Sequence, residues 1–375
     1  MDRSVHVIRR ESAKGREIVI SDLHGSLNVF KRLLEKIDYP RENDRLILLG
    51  DLMEKGFQNL DLIHFIMNLD QKYDVICLMG NCDFIAKNIL FGYNLPFLKK
   101  VLLERKGSLI HEMIASLNLP PLSQTTDMDQ LAWTLREHYL KEMIFINDFP
   151  HVLVTPKRIY AHAGVKDQPN FADDFRDVLT PHYFAMTDRI DTRDLVVGHM
   201  PVSEYRKDRM DCSPFYNPSN HVWSIDGGNV VKGVCGQLNA LVFEGSEATS
   251  YFADLLDQVP VLKDWSMKTG HPFYITWDER KMDVLKREAN VSLVHSPYLN
   301  RTFWIENAWL NDQDEANGYT NDHLSVLKGE KVGLVWKGPD YSMVKRNGRM
   351  GWVINSVLDF DHIEPQTTST LMPNS

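Results

Sequence analysis

Ser21-Asp22-Leu23-His24-Gly25 directly follows the apolar run Ile18-Val19-Ile20 and precedes Leu27, Phe30, Leu33, Leu34 and Ile37 at helical spacing. A strand, a polar turn and an amphipathic helix follow one another in that order. The turn sits at the carboxyl end of the strand, where open α/β sheets present their ligands. An Asp and a His two residues apart on such a turn suit one cation. The mixed oxygen and nitrogen donors favour Mn, Fe or Zn over Ca. On its own the tripeptide is common. Its weight comes from later stretches that repeat the layout.

Arg45-Leu46-Ile47-Leu48-Leu49 closes on Gly50-Asp51, and Val75-Ile76-Cys77-Leu78-Met79 closes on Gly80-Asn81. Between them Leu60, Ile63, Ile66 and Leu69 mark a second helix. Three strand–helix units in a row predict an α/β layered fold with parallel strands. Residues 84–148 lack that punctuation and read as a helical insertion beside the cleft, more scaffold than cap. Strands return at 158–161, 194–197 and 222–225, ending in His162, His199 and Asp226, and a last one spans 240–243. Parallel strands bring Asp22, His24, Asp51, Asn81, His162 and His199 to one sheet edge. These six donors suffice for two cations, with Asp51 as the natural bridge. Two divalent ions and two aspartates leave roughly +2 at the cleft floor, which matches a phosphoryl dianion. A water between two such ions becomes a hydroxide nucleophile near neutral pH.

These residues resemble the motifs of calcineurin-like metallophosphoesterases, especially the bacterial phosphoprotein-phosphatase branch. Asp22-Leu23-His24-Gly25 is similar to their first motif and Gly50-Asp51-Leu52-Met53-Glu54-Lys55-Gly56 to the second. Gly80-Asn81-Cys82-Asp83 is similar to the third. His162-Ala163-Gly164 and Gly198-His199-Met200-Pro201 look like the late histidine motifs, and Ile225-Asp226-Gly227-Gly228 like the closing strand-turn. The resemblance implies a four-layer αββα sandwich. It implies one ion held by Asp22, His24 and Asp51 and another by Asp51, Asn81, His162 and His199. Asp51, Glu54, Lys55, Cys82 and Asp83 become the catalytic candidates, and Lys55, Asn81, Arg176 and Arg189 the phosphate-binding ones. The expected activity is that of a phosphomonoesterase or serine/threonine-type protein phosphatase. The alternatives are a nucleotide phosphodiesterase or dinucleoside-polyphosphate pyrophosphohydrolase and, in another class, a non-catalytic phosphate binder.

Two residues depart from the pattern. Lys55 stands where the family usually has Arg, so a point charge replaces a two-bond fork. Cys82 stands where the phosphatase branch has a His thought to protonate the leaving oxygen, paired with a carboxylate that corresponds to Glu54. A thiol is a poor acid at neutral pH. Good leaving groups are therefore expected to be cleaved faster than alkyl phosphates.

The 375 residues carry a net charge of −9 and 43% hydrophobic residues. That suits a globular protein and argues against nucleic acid or an anionic membrane as partner. Cys77, Cys82, Cys212 and Cys235 form no Cys-x-x-Cys pair, the start is charged, and no apolar run is long enough to span a bilayer. The expectation is a cytoplasmic protein with a phosphorylated protein or small molecule as substrate. His6, His64, His111, His138 and His221 read as structural.

Beyond residue 290 the strands shorten and turns multiply. Leu327-Lys328-Gly329-Glu330-Lys331-Val332 and Asn347-Gly348-Arg349-Met350-Gly351-Trp352-Val353 resemble a bacterial SH3-like barrel, which implies a binding role and a peptide partner. Trp265, Trp277, Trp304 and Trp309 read as its core. The expected boundaries are a catalytic domain over 1–256, a linker over 257–287, a small all-β barrel over 288–361 and a disordered tail over 362–375.

Overall fold

The computed structural model describes residues 3–366. These divide into two compact units. The first comprises the chain up to Pro201 together with Pro214–Asp254, and the second Val202–Ser213 together with the chain from Leu255.

The first unit contains β1 (Val7–Arg9), β2 (Glu17–Ile20), β3 (Arg45–Leu48), β4 (Asp74–Cys77), β5 (Val152–Val154), β6 (Arg158–Ala161), β7 (Asp194–Val197), β8 (Phe215–Asn217), β9 (Val222–Ser224), β10 (Leu238–Glu244) and β11 (Glu247–Ala253). Its helices are α1 (Leu27–Ile37), α2 (Asn59–Asp70), α3 (Phe84–Phe91), α4 (Leu95–Glu104), α5 (Leu109–Ser116), α6 (Met128–Asn147) and α7 (Arg176–Leu179). One sheet runs β11-β10-β2-β3-β4, and the other β1-β5-β6-β7-β9-β8. Within the first, β2, β3 and β4 are parallel and β10 is antiparallel to β2.

The apolar runs of β2 and β3 are continuous because both faces are covered. Ile18, Ile20, Leu46 and Leu48 face α1, α2 and the helices of the insertion, in one core. Val19, Ile47 and Leu49 face Leu153, Tyr160 and Val196 of the second sheet, in another. Helices, sheet and sheet are thus three successive layers. The remaining regular elements are slight: α7 has four residues, and the 3-10 turn Phe184–Met186 packs on β8 and β9. The helical insertion expected over 84–148 is α3 to α6. The short strands β5 and β8 were not legible in the sequence.

The second unit is built of small antiparallel sheets. Its strands are β12 (Gln258–Pro260), β13 (Asp283–Arg287), β14 (Val291–Ser296), β15 (Arg301–Glu306), β16 (Lys331–Lys337), β17 (Tyr341–Arg346) and β18 (Arg349–Ile354). They order as β12-β16-β17-β18 and β13-β14-β15. Residues 257–287, expected as a linker, carry β12 and β13. Of the expected tail, residues 362–366 are placed: Glu364 bridges Gln258, and the Gln366 amide donates to Asp257 at 3.0 Å. The rest of that tail lies outside the described residues. Trp265 packs on the core of Val259, Val326, Val344 and Val353, but Trp304 is 46% exposed, a correction to its reading as core. Among the described residues no helix is long and apolar enough to cross a membrane.

Candidate metal centre

The strand-end residues converge. The turn after β2 is tied to the turn after β3 by backbone bonds from Asp22 to Gly50 (3.1 Å), His24 to Asp51 (3.0 Å) and Gly25 to Leu52 (2.9 Å). Asp22, His24, Asp51, Glu54, Lys55 and His199 all hold left-handed φ angles of 45–77°. Non-glycine residues rarely sit there unless the surroundings force them, and such residues concentrate at functional sites.

Two groups of ligand-type atoms form around Asp51. One is His24, Asp51 and Cys82; the other is Asp51, His162 and His199, and within each all atoms lie within 4.8 Å of one another. His24 Nε2 is 3.7 Å from Asp22 Oδ1 and 3.8 Å from Asp51 Oδ2. His162 Nδ1 donates to the Leu49 carbonyl at 2.9 Å. In the neutral tautomer that leaves Nε2 a bare lone pair. It faces Asn81 Oδ1 at 3.0 Å and Asp51 Oδ1 at 3.5 Å. Three acceptors pointing at one place repel unless a cation joins them.

Further atoms make the same demand. His199 Nε2 and Asp226 Oδ2 are buried without a hydrogen-bond partner among the described residues. Buried polar atoms are seldom left so. Burial, foremost, lowers His24 and His199 to about 3, so both rings are neutral and free to ligate. Burial and the Asp51 charge raise Asp22 to about 7. Burial also opposes the Asp51 charge, yet that carboxyl stays below its usual range, with the Lys55 ammonium nearby and the Cys82 amide donating to Oδ1 at 2.8 Å. Crowded carboxylates with neutral imidazoles fit hard-to-borderline divalent cations, and the donor set passes this test.

The other expected residues separate. Lys55 reaches into the cluster, its Nζ 3.3 Å from His24 Nε2, with its pKa raised by Cys82, Asp51 and Asp22 against the effect of burial. Asp83 is buried, and its carboxylate accepts from the backbone of Leu52 (2.9 Å), Met53 (3.2 Å) and Gly80 (2.9 Å). It ties two motif turns together. Glu54 is buried and accepts from Arg105 Nη1 (2.8 Å), Ser108 Oγ (2.9 Å) and the Leu109 amide (3.0 Å). Cys82 is buried, and burial, then Asp51, pushes its thiol well up. Arg189 Nη1 donates to the carbonyls of Arg193 (3.2 Å), Asn220 (3.1 Å) and His221 (3.0 Å), while its Nε and Nη2 are buried without a hydrogen-bond partner among the described residues. Arg176 pairs with Asp174 and, with Asn81, lines a cavity of about 350 Å³.

Sequence reasoning passed over His182, whose ring lies 5.2 Å from that of His199, and Arg105. Nothing in the sequence around Arg105 marks it. His182 had one weak signal, its place between the two late histidines.

The fold and the site together are a two-sheet α/β core with a buried, cation-seeking donor cluster at one sheet edge. The chain belongs to the calcineurin-like phosphoesterase family, whose pattern matches residues 16–219. That family works with a dinuclear metal centre. The chain is similar to the symmetrical bis(5′-nucleosyl)-tetraphosphatase of Marinomonas sp., with 37% identity over 75 residues, 20% of this chain and 26% of that protein. It is 24% identical to the enzyme of that name from Buchnera aphidicola over 166 residues, 44% of this chain and 51% of the other. The matched part thus spans about a quarter to a half of these relatives. A cold-active protein tyrosine phosphatase structure aligns with 68% of this chain and 82% of its own at 15% identity and TM-score 0.43.

Proposed function

We propose that this hydrolase cleaves phosphoric bonds whose leaving group departs without a proton, foremost the phosphoanhydride of a nucleotide. The supporting observation is the fate of the expected proton donor. Cys82 is a buried thiol with a raised pKa, and Glu54 is held by Arg105, Ser108 and Leu109. An alkyl oxygen needs protonation as it leaves, whereas a phosphate or phenolate does not. The relatives named tetraphosphatases agree with an anhydride substrate.

Asp22, His24 and Asp51 would hold one ion, and Asp51, Asn81, His162 and His199 the other. Mn, Fe or Zn suits these donors. Bound there, the ions supply positive charge to the phosphoryl oxygens and a water made acidic near neutral pH. Leu49 fixes the His162 tautomer through Nδ1. Asn229 Nδ2 donates to the Leu23 carbonyl at 2.8 Å and steadies the first turn. Lys55 offers a positive charge to a phosphoryl oxygen from within the cluster.

The serine/threonine-type reading takes second place because it requires a donor that Cys82 does not supply. We also propose that the second unit is SH3-like and binds a peptide; its antiparallel sheets support this only at the level of class.

The test compares kcat/KM of the Mn-loaded enzyme on inorganic tripolyphosphate, p-nitrophenyl phosphate and a phosphoserine peptide. The two substrates with good leaving groups should exceed the peptide by about 100-fold, the scale of a missing general acid. Comparable values for all three would overturn the proposal.

A further inference from the structure

Beside the cluster lies the cavity of about 350 Å³ between α3, α4 and α7. Its walls include Phe84, Phe97, Phe175 and Tyr93, with Leu98 and Val101 between them. Phe84 and Phe175 stack at 5.0 Å and 20°, and His151 stacks behind Phe175 at 5.4 Å, so that wall is rigid. Phe97 is 59% exposed and Tyr93 45% exposed, and both line the cavity.

The same cavity is lined by Arg3, Arg105, Arg176 and Asn81. Asn81 is the shared wall: its Oδ1 lies 3.0 Å from His162 Nε2, inside the metal-type cluster. Arg105 is the second link. It is anchored by Glu54 at 2.8 Å, and the Glu54 and Asp51 carboxylates raise its pKa against burial. Apolar aromatic walls with guanidinium groups among the lining suit a flat ring carrying anionic charge.

We infer that this cavity receives the nucleoside end of the substrate, with Arg105 gripping the phosphate that links it to the scissile bond. This rests on the anhydride reading above. The size supports the assignment, since about 350 Å³ falls at the small end of ligand pockets and suits one nucleoside rather than an extended peptide. The charge supports it as well: Arg105 keeps donor groups beyond the one given to Glu54, and a planar fork matches a phosphate edge. An arginine outside the recognised motifs would thus compensate for the Lys55 substitution.

The experiment uses the full chain with Phe97→Ala, Arg105→Ala and Arg105→Lys. Phe97 is solvent-facing, so its truncation leaves the fold in place. Turnover is measured on adenosine 5′-triphosphate and inorganic tripolyphosphate, and adenosine 5′-monophosphate binding by calorimetry without turnover. Phe97→Ala should weaken monophosphate binding about tenfold, the scale of one lost base stack, and lower kcat/KM for the nucleotide by that much more than for tripolyphosphate. Arg105→Ala should raise KM for both substrates, and Arg105→Lys should restore part of the loss. Unchanged monophosphate affinity in Phe97→Ala overturns the inference, as does an equal loss on both substrates. A phosphotyrosyl peptide preferred over the nucleotide, with the same dependence on Phe97, also overturns it. Failure to hydrolyse tripolyphosphate at all would count against the anhydride reading alone, because the binding measurement still decides what the cavity takes.

Discussion

The centre depends on atoms that are absent as much as on atoms that are present. At Gly198 a Cβ would collide with Ser21 Oγ and Asp22 Oδ2. Those two atoms are hydrogen-bonded to each other, and the same Asp22 oxygen accepts from the His199 amide at 2.9 Å. Gly198 itself donates to the His162 carbonyl at 2.7 Å. One methyl group here pushes on residues from three motifs at once. Gly198→Ala should therefore fold, as judged by circular dichroism, yet retain less than about half the bound metal after dialysis, because misplaced donors lose affinity. Full metal content by elemental analysis would show that the turn has more slack than its contacts allow. At this scale the sequence was most informative for donors and least for their supports. Asp22, His24, Asp51, Asn81, His162 and His199 are recognisable from motif spacing alone. The duty of Asp83 was not, since a carboxylate that clamps backbone looks, in a motif, like one that does chemistry.

At the scale of elements, the first strand–helix unit is fastened by one buried ion pair. Arg16 reaches the last carbonyls of α1, Ile37 at 2.8 Å and Asp38 at 3.0 Å, and binds Asp44 through Nε at 3.0 Å and Nη2 at 2.6 Å. The cation thus caps the helix carbonyls and joins them to the start of β3. Asp44 is nearly inaccessible. Burial raises its pKa, but the hydrogen bonds from Arg16 and from the Arg41 amide, together with the Arg16 charge, outweigh that and leave it lowered. A carboxyl lowered in the folded state stabilises above its unfolded value of about 3.9 and loses that stability as pH falls through the folded value. Asp44→Asn should cost about 3–5 kcal/mol by stranding the guanidinium, and its melting temperature should fall less steeply than the wild type's between pH 5 and pH 2, both about the range of carboxyl titration. Parallel acid-side curves would remove Asp44 from this role. The helix and strand here were legible from periodicity, but the fastener was not. Arg16 and Asp44 lie 28 residues apart, and only the fold brings them together.

For the whole molecule, the division into units is discontinuous. Val202–Ser213 belongs with the chain from Leu255. Tyr274 donates to Glu204 at 3.0 Å, Cys212 donates to the Gly348 carbonyl at 2.8 Å, and Met350 donates to the Met210 carbonyl at 2.9 Å. Met210 and Cys212 are fully buried by these neighbours. A chain ending at Asp254 should therefore expose 202–213, and trypsin should cut it at Arg206, Lys207 or Arg209 many times faster than the full chain. Mass spectrometry of the first fragments reads this directly, and equal protection in both chains would contradict the division. The twelve-residue excursion escaped notice because its composition resembles that of its flanks. A segment's allegiance is decided by packing partners far away in sequence, which no local window samples.

The sequence alone determined the layered α/β core, the order of its motifs and the donors that meet at its edge. Those follow from short-range rules: apolar runs buried on two faces, turns that end strands, and residue types suited to cations. Only the tertiary structure decided which charged groups support that site. It showed that Arg105 serves Glu54, that Arg189 serves backbone carbonyls and that Asp83 clamps two turns. It also decided that residues 202–213 are packed with the C-terminal sheets. The reason is one of range, since a long polar side chain takes the nearest buried partner, and that partner is fixed by the path of the whole chain.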